Sequence, residues 1–392
     1  MRVLVLNCGS SSVKFAVIDT KTKESIASGL VENIGVNGHT KAKGPEGKID
    51  FNFDCPTHAE AVDQVKKFLD EQKLTDTIEA IGHRVVHGGK YIKSEKVTQD
   101  VIDYIRSIVL FAPLHEPAHA TGMECAMKFF PNLKDKQVAV FDTAFHQTMP
   151  RKAFLYGIPY KFYESDAIRR YGFHGTSHRF VTAEAAAILG KKPEECCFIT
   201  AHLGNGSSCS AILNGKCADT TMGFTPLDGL IMGTRSGSID PAILFYISKK
   251  YGYDIDRLDK MVNKESGLLG LSGLSNDMRT LTQAASEGHV GAQIALETFC
   301  YKLAREIGGI AMALPRIDAL VFTGGIGENS MLVRKTVMEN LALLGYQIDE
   351  DRNNKSGKES GHIISKEGTP KAMVVATNEE LLIALDTEDL VK

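Results

Sequence analysis

The sequence contains no tryptophan, no membrane-length apolar run and no marked excess of either charge. Its 45 lysines and arginines face 48 aspartates and glutamates, so the net charge is -3. Interspersed, balanced charge gives no general attraction to nucleic acid or to an anionic membrane. No segment approaches the roughly 20 apolar residues of a membrane span, and the amino terminus leads into polar turn residues. We therefore expect a cytoplasmic protein with small-molecule partners.

Several familiar motifs are also missing. The chain lacks the Walker-type phosphate loop and the G-x-G-x-x-G fingerprint, which counts against P-loop NTPases and ordinary dinucleotide dehydrogenases. Its eight cysteines include no C-x-x-C pair, and several lie in apolar strand patterns, so reduced thiols are expected. They are Cys8, Cys55, Cys125, Cys196, Cys197, Cys209, Cys217 and Cys300.

Three H-x-x-x-H pairs are present, but we predict no metal cage built from protein ligands alone. The pairs are His83/His87, His115/His119 and His174/His178. The middle pair has the letters of the zinc-protease motif, which requires a continuous helix, and Pro117 inside it argues against one. The first pair falls in a strand-like run, where residues i and i+4 lie about 13 Å apart. A zinc hydrolase stays an alternative that bound zinc would reveal.

What the sequence does contain is one hairpin pattern twice. An apolar run breaks at a tight loop of Gly, Asn and Ser after Leu6 and again after Leu203. Aligning Gly9-Ser10-Ser11 with Gly206-Ser207-Ser208 superposes strand on strand, as expected if one hairpin was duplicated into two domains. Backbone N–H groups of such small loops can approach an anion. Two loops facing across a cleft would hold a polyphosphate, which makes nucleotide chemistry the leading hypothesis.

Length also favours two domains, because 392 residues exceed what one core usually supports. Periodicity predicts the same order in each half, with three strands followed by alternating helices and strands. In the first half the predicted strands are 2–7, 13–19, 25–32, 78–86 and 137–142, with helices at 56–71, at 97–108 and, after a loop around Pro113 and Pro117, to about Phe130. In the second half the strands are 197–203, 208–213, 216–221, 319–323 and 372–377, with Asn214-Gly215 as a hairpin turn and helices at 241–250, 256–264, 290–313, from Met331 and at 379–385. Segment 351–361 is polar and is expected to be a mobile loop.

Charged and polar residues stand at the ends of apolar strands or in glycine-rich turns, where functional loops of α/β domains tend to lie. They are Asn7, Arg84, Asp142, His174, His202, Arg235 and Glu379. Each residue type has an ordinary structural role as well, as a surface ion pair or a hydrogen-bonded core histidine. Their number and their glycine-rich surroundings favour a shared functional site.

These segments resemble the motifs of the acetate kinase family, in the family's order and from end to end. The two hairpin segments, Leu4 to Lys14 and Ile199 to Ser207, are similar to its two signature segments. The segments at Arg84, Asp142, His174, Arg235, 324–329 and 377–380 are similar to its other motifs. The resemblance implies an α/β fold of two duplicated ribonuclease-H-like domains, as in sugar kinases, heat-shock chaperones and actin. Each would hold a mixed five-stranded sheet flanked by helices, with an interdomain nucleotide cleft. The domains would be 1–149, joined by helix 379–392, and 150–378.

The resemblance implies transfer of the ATP γ-phosphoryl group to acetate, giving acetyl phosphate and ADP, with a link to acetyl-CoA biosynthesis. It also implies a homodimer and Mg²⁺, for which Mn²⁺ can substitute. A carboxylate with an ordinary pKa of about 4 is already ionised at neutral pH, so the nucleophile needs no general base. Catalysis should rest on positioning and on charge neutralisation in a direct in-line transfer. An aspartyl-phosphate intermediate is the rival mechanism.

The family's site residues transfer to matching positions of this chain. By resemblance, Arg84 orients acetate, Arg235 holds the γ-phosphoryl oxygens, His174 donates a hydrogen bond to the transferring group, and Asp142 positions substrate or metal-bound water. The metal ligands are Asn7 and Glu379. The pocket for the substrate methyl group is formed by Val86, Leu114, Phe173 and Pro226. The nucleotide contacts are Lys14, His202, Leu203, Gly204, Asn205, Gly206, Asp277, Met278, Arg279, Gly324, Gly325, Ile326, Gly327 and Asn329.

Two departures and two alternative functions accompany this resemblance. Ser238 stands where relatives often have Asp, and Glu116 where they often have Asn; either can change loop geometry. A propionate or butyrate kinase would keep the machinery and differ in acyl chain length. A non-catalytic ATPase module of the actin or chaperone type would keep both phosphate loops and turn over ATP regardless of acetate.

Overall fold

The structure is a computed structural model that describes residues 1–113 and 115–392. The chain forms two compact units. We call residues 1–145 with 378–392 the first unit, and residues 146–377 the second unit. No helix in the described residues is long and apolar enough to cross a membrane.

The first unit is built on one eight-stranded mixed sheet. Its strands are β1 (Arg2–Cys8), β2 (Ser12–Asp19), β3 (Glu24–Glu32), β4 (Gly38–Gly44), β5 (Gly47–Phe53), β6 (Ala80–Val85), β7 (Glu95–Lys96) and β8 (Gln137–Phe141). Their order is β5-β4-β3-β2-β1-β6-β8-β7. β1 lies parallel to β6, and β6 lies parallel to β8, whereas β1 to β5 pair antiparallel. The central strands are continuous apolar runs because both sheet faces are covered.

Helices from both ends of the chain cover this sheet. They are α1 (His58–Glu71), α2 (Gln99–Ser107), α3 (Glu116–Phe129) and, from the carboxyl terminus, the helix Glu379–Val391. Thr57 begins α1 with a capping box to Glu60. The terminal helix packs on β6 and β8, and a side chain on Gly82 would collide with Ile383 and Thr387. Close approach at Gly82 therefore anchors the end of the chain to the centre of the first sheet.

The second unit is built on a five-stranded mixed sheet. Its strands are β9 (Cys197–Leu203), β10 (Ser207–Leu213), β11 (Lys216–Thr220), β12 (Ala319–Thr323) and β13 (Ala372–Val374), in the order β11-β10-β9-β12-β13. Its helices are α4 (Arg151–Phe154), α5 (Lys161–Asp166), α6 (Gly175–Ile188), α7 (Ala242–Tyr251), α8 (Ile255–Lys264), α9 (Gly267–Ser272), α10 (Met278–Ser286), α11 (Val290–Ala311), α12 (Gly324–Asn329), α13 (Met331–Asn340) and α14 (Glu350–Asn354). The terminal helix 379–391 is then α15. The apolar face of α11 packs in the core of this unit.

The two sheets repeat one topology, which confirms the duplicated fold expected from the sequence. β3-β2-β1-β6-β8 and β11-β10-β9-β12-β13 share strand order and direction, with two antiparallel pairings followed by two parallel ones. The second strand of each hairpin also carries an irregularity at the matching place, at Val17/Ile18 and at Ala211/Ile212. Such irregularities are structural features rather than defects, so their repetition supports duplication.

The hairpin alignment proposed from sequence is nevertheless wrong by two residues in the first strand of each hairpin and by three in the second. β1 ends at Cys8 and β9 ends at Leu203, so Gly9 corresponds to Gly204 rather than to Gly206. The first loop contains one residue more between paired strand ends, because Cys8 pairs with Val13 and Leu203 pairs with Ser207. Matching Gly and Ser letters concealed this difference in loop length.

Other expectations need correction in particular places. The first sheet has eight strands rather than five, because the hairpin β4–β5 extends one edge and β7 extends the other. Helix α6 was not predicted, and segment 351–361 contains the end of helix α14 rather than only loop. Pro117 does not prevent a helix, because it occupies the first turn of α3, where a missing N–H costs nothing. The Asn214-Gly215 turn is confirmed, since both residues have positive φ.

Candidate active site

Three candidate residues of the first unit lie at the carboxyl ends of adjacent parallel strands. Leu6 on β1 is beside His83 on β6, so Asn7 and Arg84 follow at neighbouring positions. Arg84 is beside Val140 on β8, and Asp142 comes directly after this strand, where its backbone N–H donates to the Val85 carbonyl. Ligands of α/β sheets bind at this edge. The sheet register therefore brings Asn7, Arg84 and Asp142 together at one edge of the sheet.

Arg84 makes a two-point ion pair with Asp142. Its Nη2 and Nε donate to the two carboxylate oxygens at 2.7 and 3.2 Å, and Nη2 lies 3.5 Å from Glu379 Oε2. Burial lowers the pKa of Arg84, but the carboxylates of Asp142 and Glu379 outweigh it and leave this pKa above its ordinary value. Burial raises the pKa of Asp142, and the Arg84 guanidinium opposes that rise. Arg84 is thus a permanent cation held in a fixed orientation.

The remaining candidates of the first unit lie close by or outside the described residues. Lys14, opposite Asn7 on the neighbouring strand, forms an ion pair of 2.5 Å with Glu380 at the start of α15. Val86 is buried just after β6, where its N–H donates to His119 Nδ1. Leu114 lies outside the described residues. Lys14 therefore pairs with a carboxylate beside Glu379 in the first unit.

His174 begins α6 in a left-handed backbone conformation, with φ 56° and ψ 26°. Few non-glycine residues adopt this region, and such residues cluster at functional sites. His146 supports the position, because its Nε2 donates to the carbonyl of Phe173, the preceding residue, at 2.8 Å. The His174 ring stacks on His202, with ring centroids 4.3 Å apart. Two predicted phosphate-site histidines thus form one rigid pair.

Hydroxyl groups hold the nitrogen atoms of these histidines. His174 Nδ1 lies 2.9 Å from Ser208 Oγ on β10, and His202 Nδ1 lies 2.8 Å from Ser177 Oγ on α6. Behind them, His178 bonds to the same Ser208 Oγ and to Thr200 Oγ1 on β9. Burial, with additional repulsion from His146 and His202, lowers the pKa of His178 well below its ordinary value. His178 is therefore a neutral imidazole.

Ser208, His178 and Thr200 were not predicted from the sequence as members of the site. His178 entered only as half of a possible metal pair. Once α6 is known to begin after His174, positions 174, 177 and 178 fall on one helix face. That spacing, beside a strand containing three buried serines, was the signal available in the sequence.

The predicted phosphate loop lies beside one cation, Arg235, and one imidazole, His174. A Cβ built on Gly206 would lie 3.3 Å from His174 Nε2 and 3.6 Å from Arg235 Nη1. Arg235 Nη1 contacts the Pro226 carbonyl at 3.4 Å and the Met232 sulfur at 3.7 Å. Burial lowers its pKa. Across residues 1–113 and 115–392, no carboxylate lies within ion-pair distance of Arg235. This partly buried cation is therefore suited to an anion from outside the chain.

Four loops of the second unit meet beside Gly206. Asn205 accepts from the Gly233 N–H through its carbonyl and from Asn276 Nδ2 through its side chain, at 2.9 and 3.1 Å. Gly324 has φ +76° and packs so closely on the Leu203 backbone that a side chain would collide with it. Gly204 completes the tight turn by donating to the Gly206 carbonyl. The sequence candidates at 203–206, 277–279 and 324–329 are therefore neighbours in space.

The nucleotide candidates differ in exposure. Asp277 caps α10 and pairs with the exposed Arg279, and this hydrogen bonding lowers the Asp277 pKa to about 2. Met278 lies in the apolar core. Ile326 packs against the core from α12, the short helix formed by 324–329, while Asn329 donates to the Gly325 carbonyl within that helix. Ile326 and the backbone of α12, together with Asp277 and Arg279, can face a ligand.

A buried arginine that sequence reasoning also missed holds this glycine-rich helix. Arg334 is fully buried, and its Nη1 donates to the carbonyls of Gly327 and Glu328 at 2.9 Å each. Its other donors reach Asn353 and Ser356 at 2.8 to 3.1 Å. Burial lowers its pKa to about 10. Arg334 therefore fixes the carboxyl end of α12 from behind.

The two positions that depart from the family pattern have defined partners. The Ser238 hydroxyl donates to Asp228 Oδ1 at 2.5 Å and accepts from the Gly229 N–H at 2.9 Å. Fully buried Glu116 accepts from the His87 N–H at 2.9 Å. Both residues hold turns near candidate residues through hydrogen bonds.

The H-x-x-x-H pairs have structural contacts. His83 Nε2 bonds to Gln137 Oε1 at 2.8 Å, His115 stands just outside α3, and His174 and His178 share Ser208. In the described residues, no three His, Cys, Asp or Glu side chains converge as a metal-binding group. All eight cysteines are free and buried.

Comparison with known proteins identifies the family of this chain. The model of the acetokinase family matches residues 2–385. Acetate kinases from Chromobacterium violaceum and Shewanella pealeana are 50% and 49% identical, over 99% and 100% of this chain and 98% and 99% of theirs. A propionate kinase structure from Francisella tularensis has a TM-score of 0.94 at 46% identity, covering 99% of both chains. The acetate kinase structure from Porphyromonas gingivalis has a TM-score of 0.92 at 40% identity, covering 100% of both. This chain belongs to the acetokinase family.

Proposed function

We propose that this chain transfers the γ-phosphoryl group of ATP reversibly to acetate, giving acetyl phosphate and ADP in one in-line step. Membership of the family makes it a kinase, a phosphotransferase with a carboxyl group as acceptor. The observation that supports the proposal most directly is Arg235, a partly buried cation that has no carboxylate partner in the described residues and that lies with His174 beside Gly206.

Repulsion between anions is the main obstacle to this reaction, because acetate is ionised and ATP is strongly anionic. Arg235 and His174 supply positive charge and a hydrogen-bond donor where the γ-phosphoryl oxygens would lie, a form of stabilisation that strengthens as charge develops. The turn 204–206 and the neighbouring loops supply backbone N–H groups for the other phosphates. Asp277, Arg279 and α12 are the proposed ribose and adenine contacts.

Arg84 is the proposed acetate ligand. Asp142 occupies its Nε and Nη2, and Nη1 makes no hydrogen bond to any residue in 1–113 or 115–392. A planar guanidinium held on one side presents its free edge to a second carboxylate. Both Asp142 oxygens accept from Arg84, which weakens Asp142 as a nucleophile. This geometry favours direct transfer over an aspartyl-phosphate intermediate.

Magnesium fits the oxygen ligands beside this pair. Mg²⁺ binds through one or two protein oxygen ligands, with water and substrate phosphates completing its shell. Asn7 and Glu379 would supply those ligands, with Asp142 nearby for metal-bound water. Mg²⁺, or Mn²⁺ in its place, would neutralise phosphate charge in the transition state. Chelation should therefore abolish turnover and leave the fold intact.

A homodimer and two functional domains complete the proposal. Helix α7 buries none of its residues in the single chain, although it is apolar, with Ile243, Phe245, Tyr246 and Tyr251 at 44 to 65% exposure. A second copy of the chain would cover such a face. The first unit would bind the carboxylate and the second unit the nucleotide. Light scattering after size exclusion tests the dimer, and a monomer at micromolar concentration would contradict it.

The function is tested by Mg²⁺- and ATP-dependent acyl phosphate formation, trapped with hydroxylamine, using acetate, propionate and butyrate in parallel. We expect acetate to be fastest and propionate to react more slowly, because one methylene in an apolar pocket changes binding by about 1 to 3 kcal/mol. The similarity to a propionate kinase structure makes propionate preference the second candidate. ATP hydrolysis that ignores all three acids would instead indicate an ATPase module.

A further inference from the structure

A continuous line of short hydrogen bonds ends at His174. Thr200 Oγ1 lies 2.7 Å from His178 Nδ1, His178 Nε2 lies 2.8 Å from Ser208 Oγ, and Ser208 Oγ lies 2.9 Å from His174 Nδ1. Thr200, His178 and Ser208 are fully buried, and they come from β9, α6 and β10. We call these three residues the Thr200 relay. It contacts the ring nitrogen of His174 that faces away from Gly206.

Proton counting allows the relay only two arrangements that use every donor. Each hydroxyl has one proton to donate, and neutral His178 has one N–H. If Thr200 donates to His178, then His178 donates to Ser208 and Ser208 donates to His174. If His178 donates to Thr200 instead, Ser208 donates to His178 and His174 donates to Ser208. A mixed arrangement, in which Ser208 accepts from both rings, leaves the buried Ser208 proton without an acceptor in the described residues, which costs about 1 to 3 kcal/mol. The direction of the relay therefore decides whether Nδ1 of a neutral His174 accepts or donates.

The contacts at the far end favour the direction toward His174. In the reversed arrangement the buried Thr200 hydroxyl must donate elsewhere, and its other acceptor is the Ser210 carbonyl at 3.5 Å. That distance is too long for a strong hydrogen bond, and a poorly satisfied buried donor costs about 1 to 3 kcal/mol. In the forward arrangement the same proton makes the 2.7 Å bond to His178.

We propose that the Thr200 relay fixes the tautomer of His174, so that a neutral His174 carries its proton on Nε2, the nitrogen facing Gly206 and Arg235. Ser208 and His178 are then positioning residues for phosphoryl transfer. This use of the relay rests on the proposed function, whereas the tautomer does not. With the other tautomer, His174 would direct a lone pair at an anionic oxygen. The wrong tautomer of a site histidine is costly in other enzymes.

Ser208→Ala is the central variant, with Ser210→Ala as its matched control. Both serines are fully buried on β10, two residues apart, and Ser210 bonds to Thr220 rather than to a histidine. We expect Ser208→Ala to lower kcat by about 10-fold to 100-fold, a typical cost of losing an orienting partner, with little change in KM for ATP or acetate. Ser208→Thr keeps the hydroxyl and should recover most of kcat. Equal loss in both alanine variants would overturn the proposal.

Histidine ¹⁵N NMR of the full chain tests the tautomer without any activity assay. The His174 signals are assigned by their loss in His174→Gln. Under conditions where His174 is neutral, we expect a pyrrole-type Nε2 and a pyridine-type Nδ1, and a mixture of tautomers in Ser208→Ala. A pyrrole-type Nδ1 in the unsubstituted protein, or an unchanged tautomer in Ser208→Ala, refutes the relay. If no acid were phosphorylated, the proposed function would fail while this measurement still decided the relay.

Discussion

The Arg84 guanidinium donates to both carboxylate oxygens of Asp142, at 2.7 and 3.2 Å, and Asp142 is almost completely buried. Asp142 is thus held by Arg84 on one side and by its own backbone bond to β6 on the other. The orientation of the proposed acetate ligand therefore depends on a residue that need not touch acetate.

We expect Asp142→Asn to destabilise the first unit by about 2 to 5 kcal/mol, because it breaks a buried ion pair and leaves Arg84 without its main partner. Glu124→Gln is the matched control. It breaks a two-point pair with Arg106 in which both side chains are substantially exposed, so it should cost about 1 kcal/mol or less. Urea unfolding followed by circular dichroism measures both, and similar losses would contradict the difference in burial.

Arg84→Ala and Arg235→Ala should each lower kcat by orders of magnitude while the protein stays folded. Arg235→Lys should restore little activity, because a lysine ammonium cannot reproduce the planar guanidinium. The hydroxylamine assay measures the rates, and circular dichroism confirms folding. The variant Arg257→Ala, which removes contacts with Glu265 and Tyr253 that are not part of the candidate site, should keep normal turnover. A near-normal rate in either site variant would refute the role assigned to that arginine.

Resistance to unfolding should fall as pH drops from about 6.5 toward 4. Burial lowers the pKa of His83 and of His146 to about 4. Below pH 6.5 these histidines are protonated in the unfolded chain but stay neutral in the folded protein. Each therefore lowers the free energy of unfolding by up to about 1.4 kcal/mol for each pH unit of acidification. Urea midpoints at pH 7 and pH 5 measure the effect, and His83→Gln should reduce it.

His39, which lies in the first unit with His83, makes the opposite contribution to the pH dependence of stability. Hydrogen bonds that the His39 ring donates to Asp50 and Glu32 raise its pKa, so its stabilising contribution is present below its ordinary pKa and is lost as pH rises. We expect His39→Gln to make the first unit more acid-sensitive. Equal urea midpoints at pH 7 and pH 5 in the unsubstituted protein would contradict the behaviour predicted for His83 and His146.

Arg334→Met should destabilise the second unit by about 3 to 5 kcal/mol, because it leaves buried carbonyl groups of α12 and Asn353 without a donor. Arg352→Met is the control. Arg352 pairs with Glu367 and Asp349, both partly or largely exposed, and donates to a single backbone carbonyl at 3.2 Å, so its loss should cost much less. Thermal unfolding measures stability. The KM for ATP should rise in Arg334→Met alone if α12 contacts the nucleotide.

The hairpins β1–β2 and β9–β10–β11 could be predicted because their strands and turns depend on neighbouring residues. The other elements depend on long-range contacts that the sequence does not show. The Asn214-Gly215 turn and the apolar runs of β1 and β9 follow from neighbouring residues. The hairpin β4–β5 was missed because β5 is mostly exposed and the buried face of β4 consists of the small residues Gly38, Thr40 and Ala42, which give no apolar alternation. Helix α6 begins at a left-handed histidine without a side-chain cap, so its start carries no capping sequence.

The candidate site likewise contains residues that local patterns predicted and residues that only tertiary packing brings together. Arg84, Asp142, His174 and Arg235 could be proposed because each stands in a glycine-rich turn or at a strand end. The Thr200 relay could not, because its members are separated by 22 and 30 residues and meet only through tertiary packing. Arg334 was missed because a lone arginine in a helix pattern usually indicates an exposed position.

The return of α15 to the first sheet has a consequence for biosynthesis. The ribosome synthesises residues 1–145 first, but the surface of β6 at Gly82 stays uncovered until Ile383 and Thr387 have been translated. The second unit is continuous from 146 to 377, so all of its residues are available earlier. We therefore expect the second unit to fold before the first unit. The first unit is synthesised earlier, but its packing cannot be completed until helix α15 has been made.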